Sequence, residues 1–167
     1  EFRHETNKDG GALPVPLRWS FVPSTWTQLF ENNNLGERAF AGTDSGVAKL
    51  KHRLLDRGFF HQDVVFFPIN RNGNHWVVVV AYMAERRLEA YDSLSRSGSK
   101  SGACMQEMQR ALGLLRAMCA SDHYRSRFPT KLEPSIFEGW EMQVVQGPQQ
   151  DNGNDCGVYV LAVIDTL

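Results

Sequence analysis

Long apolar runs are the first thing missing from this sequence. No stretch approaches the roughly 20 consecutive apolar residues that a membrane-spanning helix needs, so such a helix is excluded and no membrane partner is expected. Cysteine is scarce: three in 167 residues, an odd number and too few for a disulfide framework. That argues against a disulfide-built secreted domain and for a reducing, intracellular setting, the nucleus or cytoplasm (a host cell's if the chain is a bacterial effector). An excess of either charge is absent too, with 18 Lys plus Arg against 19 Asp plus Glu and a formal net charge of -1. Proteins that coat DNA or RNA usually carry a basic excess or stripe, so no nucleic-acid partner is expected. Glu1 to Gly11 lacks the apolar core of a signal peptide. No P-loop pattern is present, so nucleotide binding is unsupported. What the chain does have is 42% hydrophobic residues. At this length that is enough for one domain whose folding removes roughly 70% of the unfolded chain's surface from water.

Residues 1–12 read as a loose tail or expression remnant, and 13–167 as a single domain. Leu13-Pro14-Val15-Pro16 is extended by proline restriction. A short helix over 26–31 follows, capped by Ser24 or Thr25, and a second is expected over 45–55 with Gly58 at its C-terminal cap. The period then changes. Val64 to Ile69 is β-branched and aromatic, hence a strand, and Asn70 to Asn74 is a turn. Trp76 to Tyr82 is apolar throughout, which predicts a central strand covered on both faces. Arg87 to Tyr91 pairs with it as an antiparallel hairpin. Residues 95–102 form a loop by composition. A helix over 104–118 carries Met108, Ala111, Leu112, Leu115 and Met118 in one stripe. After a polar stretch, 140–145 reads as a strand, and 157–167 as a helix in preference to a strand. The fold class is α+β, helices packed on one mixed sheet.

His75, Asp92 and Cys156 stand at the edges of these apolar elements, where chemistry can reach solvent. If Tyr82 pairs with Arg87, the register carries His75 to a position opposite Leu94. Asp92 is then its diagonal neighbour on the same face, at the Cα separation of about 7–8 Å that the two side chains can close to a hydrogen bond. Cys156 follows a Gly/Asn/Asp-rich turn and opens the last apolar segment. As the first residue of a helix it would sit at the positive end of the dipole, which together with an imidazolium favours thiolate over thiol. Backbone N–H groups of the turn and the Gln150 amide are available to an oxyanion beside the sulfur. Nucleophile, base, orienter and oxyanion donors make up the inventory for acyl transfer. The bland readings are a turn histidine, a capping aspartate and a packed thiol. His4, His52, His61 and His123 have no partner at metal-ligand spacing, and Cys104 and Cys119 read as packed thiols. No metal and no cofactor are therefore expected.

Gly73-Asn74-His75-Trp76-Val77 resembles the histidine motif of the Ulp1/SENP cysteine proteases, which cleave SUMO and related ubiquitin-like modifiers. Ala90-Tyr91-Asp92-Ser93-Leu94 is similar to the family's aspartate motif, and Pro148 to Val158 (PQQDNGNDCGV) to its cysteine motif. Val65 to Asn70 resembles the strand before the histidine loop. The resemblance covers about residues 45–167. It implies a papain-like fold of the Ulp1 type with the cysteine at a helix N-terminus. It also implies Cys156 as nucleophile, His75 as general base, Asp92 as its orienter and Gln150 as the oxyanion side chain. Trp76 would help roof the tunnel that admits the modifier's Gly-Gly tail. The implied protein is a monomeric thiol isopeptidase or processing protease whose partner is SUMO or another ubiquitin-like modifier. The alternatives are a deubiquitinase, a deneddylase or a related acetyltransferase with the same triad, or an inactive modifier-binding module. Three departures stand out. The family's Trp-Leu-x-Asp stretch is missing, with Trp19 and Trp26 the only upstream tryptophans. The Asp92–Cys156 separation points to an insertion around 120–138. The family also commonly continues past the catalytic helix.

Overall fold

The computed structural model describes residues 17–25, 59–95, 101–120, 122–127 and 133–167. The tail 1–12, the extended run 13–16 and the helices expected over 26–31 and 45–55 lie outside them. Five strands form one mixed sheet: β1 (Trp19–Phe21), β2 (Val64–Arg71), β3 (His75–Tyr82), β4 (Arg87–Tyr91) and β5 (Glu141–Val145). They lie side by side in chain order. The central pairs β2–β3 and β3–β4 are antiparallel, and the outer pairs β1–β2 and β4–β5 are parallel. Parallel neighbours need a crossover. Between β4 and β5 it contains helix α1 (Ser101–Ala120) and the short α2 (Asp122–Arg127). The last element is α3 (Cys156–Thr166), so helix is the state adopted by the final apolar run.

Period-2 alternation divides the core. Val77, Val79 and Ala81 of β3 join Val65, Phe67 and Ile69 of β2 in the larger cluster, together with the apolar stripe of α1. Val78 and Val80 turn the other way, with Val64 and Phe66, against Val160 of α3. The uninterrupted apolar run of β3 is thus explained by burial on both faces. Tyr82 pairs with Arg87 and Val78 with Tyr91, the register on which the His75–Asp92 expectation depends.

Three differences from the sequence reading are local. β1 carries only three residues, two of them exposed aromatics, so it has no period to detect. It is tied to the start of β2 by Arg18, whose backbone N–H and guanidinium both donate to the Asp63 carboxylate, at 2.9–3.2 Å. Helix α1 begins at Ser101, inside the segment read as loop. The polar stretch before β5 holds α2 and a 3₁₀ turn (Pro134–Phe137). Through Tyr124 and Phe137 it closes one end of the core, their rings lying 4.8 and 5.9 Å from that of Phe60.

Candidate active site

The turn between β2 and β3 sets the first part of the site. Asn72 and Gly73 both have positive φ, 54° and 77°, and the Asn74 N–H reaches the Arg71 carbonyl at 3.3 Å. Asn and Gly are the residues that best tolerate this left-handed region, and with Asn74 they form a three-residue link between β2 and β3. Arg71 and His75 become direct cross-strand partners and leave the sheet on the same face. Asp92 follows the last residue of β4, and its carboxylate is bonded on both oxygens. Oδ1 pairs with His75 Nε2 at 2.8 Å and accepts the Leu94 backbone N–H at 2.9 Å; Oδ2 accepts from Arg71 Nη1 at 2.8 Å. Burial pushes the Asp92 carboxyl up. The Leu94 N–H and the His75 and Arg71 side chains outweigh it and hold the group below its usual range.

A histidine that donates its Nε2–H to a carboxylate offers Nδ1 as an acceptor. His75 Nδ1 is buried and makes no hydrogen bond among the described residues. Buried polar atoms are normally paired, and a catalytic role is one explanation for a lone one. The structure therefore brings His75 and Asp92 together and leaves the second ring nitrogen unengaged.

Cys156 is buried at the first position of α3. Asn152 shapes the approach to it: its Oδ1 accepts the N–H groups of Asn154 and Asp155 at 2.8 and 3.1 Å, while its Nδ2 donates to Asp155 Oδ2 at 2.6 Å. The side-chain-to-backbone bonds fold the loop as an Asx turn. Tyr159 then fastens the helix to the loop, its hydroxyl donating to the Gln149 carbonyl at 3.2 Å. Trp76, half-buried, lies against the same first turn; a Cβ added at Gly157 would sit 3.8 Å from its ring. With Tyr91, Pro148, Tyr159 and Val163 it lines a cavity of about 210 Å³ that reaches Asp92 and Ser93. Trp19 stands elsewhere, on β1, edge-on to Phe66 at 6.4 Å.

Gln150 is almost wholly enclosed. Its Oε1 accepts the Ser93 hydroxyl at 2.6 Å, its Nε2 donates to the Asn152 carbonyl at 2.6 Å, and its backbone N–H donates to the Ser93 carbonyl at 2.9 Å. Gln149 Nε2 reaches the Asp92 carbonyl at 3.3 Å. The aspartate and cysteine motifs, far apart in sequence, are thus cross-linked by Ser93, Gln149 and Gln150. Sequence reasoning missed Ser93, Gln149, Arg71 and Glu107. Arg71 was not within reach of turn chemistry, because a two-residue Asn-Gly turn would set it opposite Asn74, and it is the three-residue link of Asn72, Gly73 and Asn74 that sets it opposite His75. Glu107 depends on where α1 lands and left no local signal.

The other thiols differ from Cys156 in depth. Cys104 and Cys119 are fully enclosed, and burial pushes both up, Cys119 to about 11. Among the described residues no group of three His, Cys, Asp or Glu side chains is placed to hold a metal ion.

This geometry has relatives. Ubiquitin-like-specific protease 1 of Saccharomyces cerevisiae is 30% identical over 132 residues, 78% of this chain and 18% of that protein. A sentrin-specific protease of Caenorhabditis elegans is 29% identical over 115 residues, 68% of this chain and 14% of that protein. The chain thus spans less than a fifth of the length of these two curated relatives. Among solved structures, the C-terminal Ulp1 protease domain in complex with Smt3, the yeast ortholog of SUMO, superposes with a TM-score of 0.58 at 18% identity, over 86% of this chain and 53% of that one. The SUMO protease Ulp1 with its catalytic cysteine oxidised to a sulfonic acid gives 0.57 at 21% identity, over 87% and 56%. These superpositions establish the fold. The Ulp1 protease family, C-terminal catalytic domain, matches residues 24–167, so the chain belongs to that family.

Proposed function

We propose that the chain is an intracellular thiol protease that hydrolyses the bond after the C-terminal Gly-Gly of a ubiquitin-like modifier, SUMO in the first place, in deconjugation, precursor processing or both. The observation that carries the reading is the buried His75–Asp92 pair with an unengaged Nδ1, in a chain that also sets a cysteine at the head of a helix. Cys156 gives its proton to His75 Nδ1, and the sulfur attacks the glycyl carbonyl carbon. The carbonyl oxygen takes up the charge, and a Gln150 N–H with backbone N–H groups of the turn receives it. Asp92 holds the imidazolium in place. As the C–N bond breaks, His75 returns the proton to the departing amine and leaves a thioester on Cys156. His75 next deprotonates a water, which attacks the thioester and frees the modifier's carboxylate and the thiol. Trp76 favours a tail without side chains, because its ring closes over the helix turn beside Cys156. The names of the relatives support SUMO as the modifier: one is a sentrin-specific protease, and a solved Ulp1 domain is bound to the yeast ortholog of SUMO.

The test is labelling with SUMO, ubiquitin and NEDD8 that each carry a C-terminal electrophile. A covalent adduct with SUMO that disappears in Cys156→Ala is the expected result. An adduct with ubiquitin or NEDD8 alone would reassign the modifier, and SUMO binding with no adduct would reduce the chain to a binding module.

A further inference from the structure

Arg71 is engaged on every side. Its Nε and Nη2 both donate to the Glu107 carboxylate at 2.7 Å, its Nη1 donates to Asp92 Oδ2 at 2.8 Å, and its Nη2 also lies 3.6 Å from Cys104 Sγ. The Asp92 side chain is 0% exposed, Glu107 5% and Arg71 19%. Ion pairs at the surface contribute little, but this one is enclosed and two-pronged. We propose that Arg71, gripped by Glu107 from helix α1, is a positioning residue that fixes the Asp92 carboxylate so that Oδ1 meets His75. The proposal rests on the catalytic reading above.

Geometry supports it first. A guanidinium is planar, so a carboxylate that occupies its Nε/Nη2 edge also fixes the direction of Nη1. That direction is where Asp92 Oδ2 lies. Asp92 Oδ2 is thereby anchored through a helix from the other side of the chain, and Oδ1 has only the Leu94 N–H and the His75 ring to face. Charge supports it second. The formal charges of Asp92, Glu107 and Arg71 sum to one net negative charge. The sum becomes neutral when His75 takes up the thiol proton. The cluster is therefore matched to the imidazolium, the state formed on the way to attack. Without Arg71, the enclosed Asp92 and Glu107 carboxylates lose the cation they share, which favours the protonated form of Asp92. A protonated Asp92 no longer balances an imidazolium.

The test uses Arg71→Met, Arg71→Lys and Glu107→Gln in the whole chain. kcat and KM are measured across pH with SUMO bearing a C-terminal fluorogenic amide, alongside melting temperature. The rate of Cys156 alkylation by iodoacetamide, followed across pH by mass spectrometry, needs no modifier. Arg71→Met should lower kcat roughly 10–100-fold, the scale seen when residues that orient a metal-bound histidine from behind are lost. KM should stay within about twofold of the parent. The acid limb of kcat/KM and of alkylation should move to higher pH, because removing a buried cation favours the protonated forms around it. Arg71→Lys restores the charge but not the fork, so its acid limb should return towards the parent while kcat stays low. If Arg71→Met does not fold, Glu107→Gln decides on the same readouts. A kcat near that of the parent, or a kcat loss that tracks melting temperature with both acid limbs unmoved, would overturn the proposal. A parent that alkylates at Cys156 but leaves the SUMO substrate intact would refute the SUMO reading, and the alkylation profiles would still decide the role of Arg71.

Discussion

Gln150 has a structural place in the loop and, in the proposed mechanism, a second task at the oxyanion. Its bonds to Ser93 and Asn152 are those of a loop fastener. A primary amide nitrogen carries two hydrogens, however, and the Asn152 carbonyl takes only one of them. The two roles separate on mutation. Gln150→Ala should lower kcat by roughly 10²–10³-fold, the usual loss of an oxyanion donor, with modifier affinity little changed. Ser93→Ala removes the tether to Oε1 and leaves the donor, so it should lower the melting temperature while kcat stays within a few-fold of the parent. Steady-state kinetics and thermal melts of both variants make the comparison. If Gln150→Ala turns over nearly as fast as the parent, the residue is a fastener alone. Cys156, His75 and Asp92 could be singled out at this scale because each sits inside its own motif, and the structure joins the last two by a hydrogen bond. Arg71 and Glu107 belong to no motif, and only the folded chain shows what they touch.

The elements were legible where side-chain period and turn chemistry agreed. β3 and β4 are joined by a four-residue link with Arg86 in the left-handed region, and one pairing across it propagates the register along both strands. The chain between α1 and β5 is a different case. Its polar composition gives no element, yet Tyr124 and Phe137 are almost completely buried, and Trp140 lies tilted against Phe137 at 5.6 Å. Isolated aromatics in a polar stretch have no period, and their partners are distant in sequence. Trp140 Nε1 also donates to the Ile136 carbonyl at 2.9 Å, which locks the 3₁₀ turn to the start of β5. If this segment is a true wall of the core, Phe137→Ala should cost about 3–5 kcal/mol of stability, in line with other buried aromatic truncations. Denaturant unfolding of the variant and parent gives the number. A cost under about 1 kcal/mol would put the segment on the surface in solution.

For the whole molecule, the sheet keeps its strands in the order of the chain. Arg71 and Asp92 are 21 positions apart, and His75 lies between them, all within or next to the β2–β3–β4 meander. Cys156 stands on the other side of a crossover and a parallel pairing. Hairpins close in about 1–10 μs, whereas pairing across long loops is slower, because closure entropy is lost before any contact rewards it. We predict that backbone amides of β2, β3 and β4 gain protection in pulsed hydrogen exchange before those of β5 and α3. Earlier protection of α3 would contradict this order. The order has a consequence for the cell. A chain caught midway through folding already holds the His75–Asp92 pair but has yet to set Cys156 at the head of α3. On the proposed function, proteolytic power would then arrive only with the closing step, so an unfinished molecule would be harmless to its neighbours.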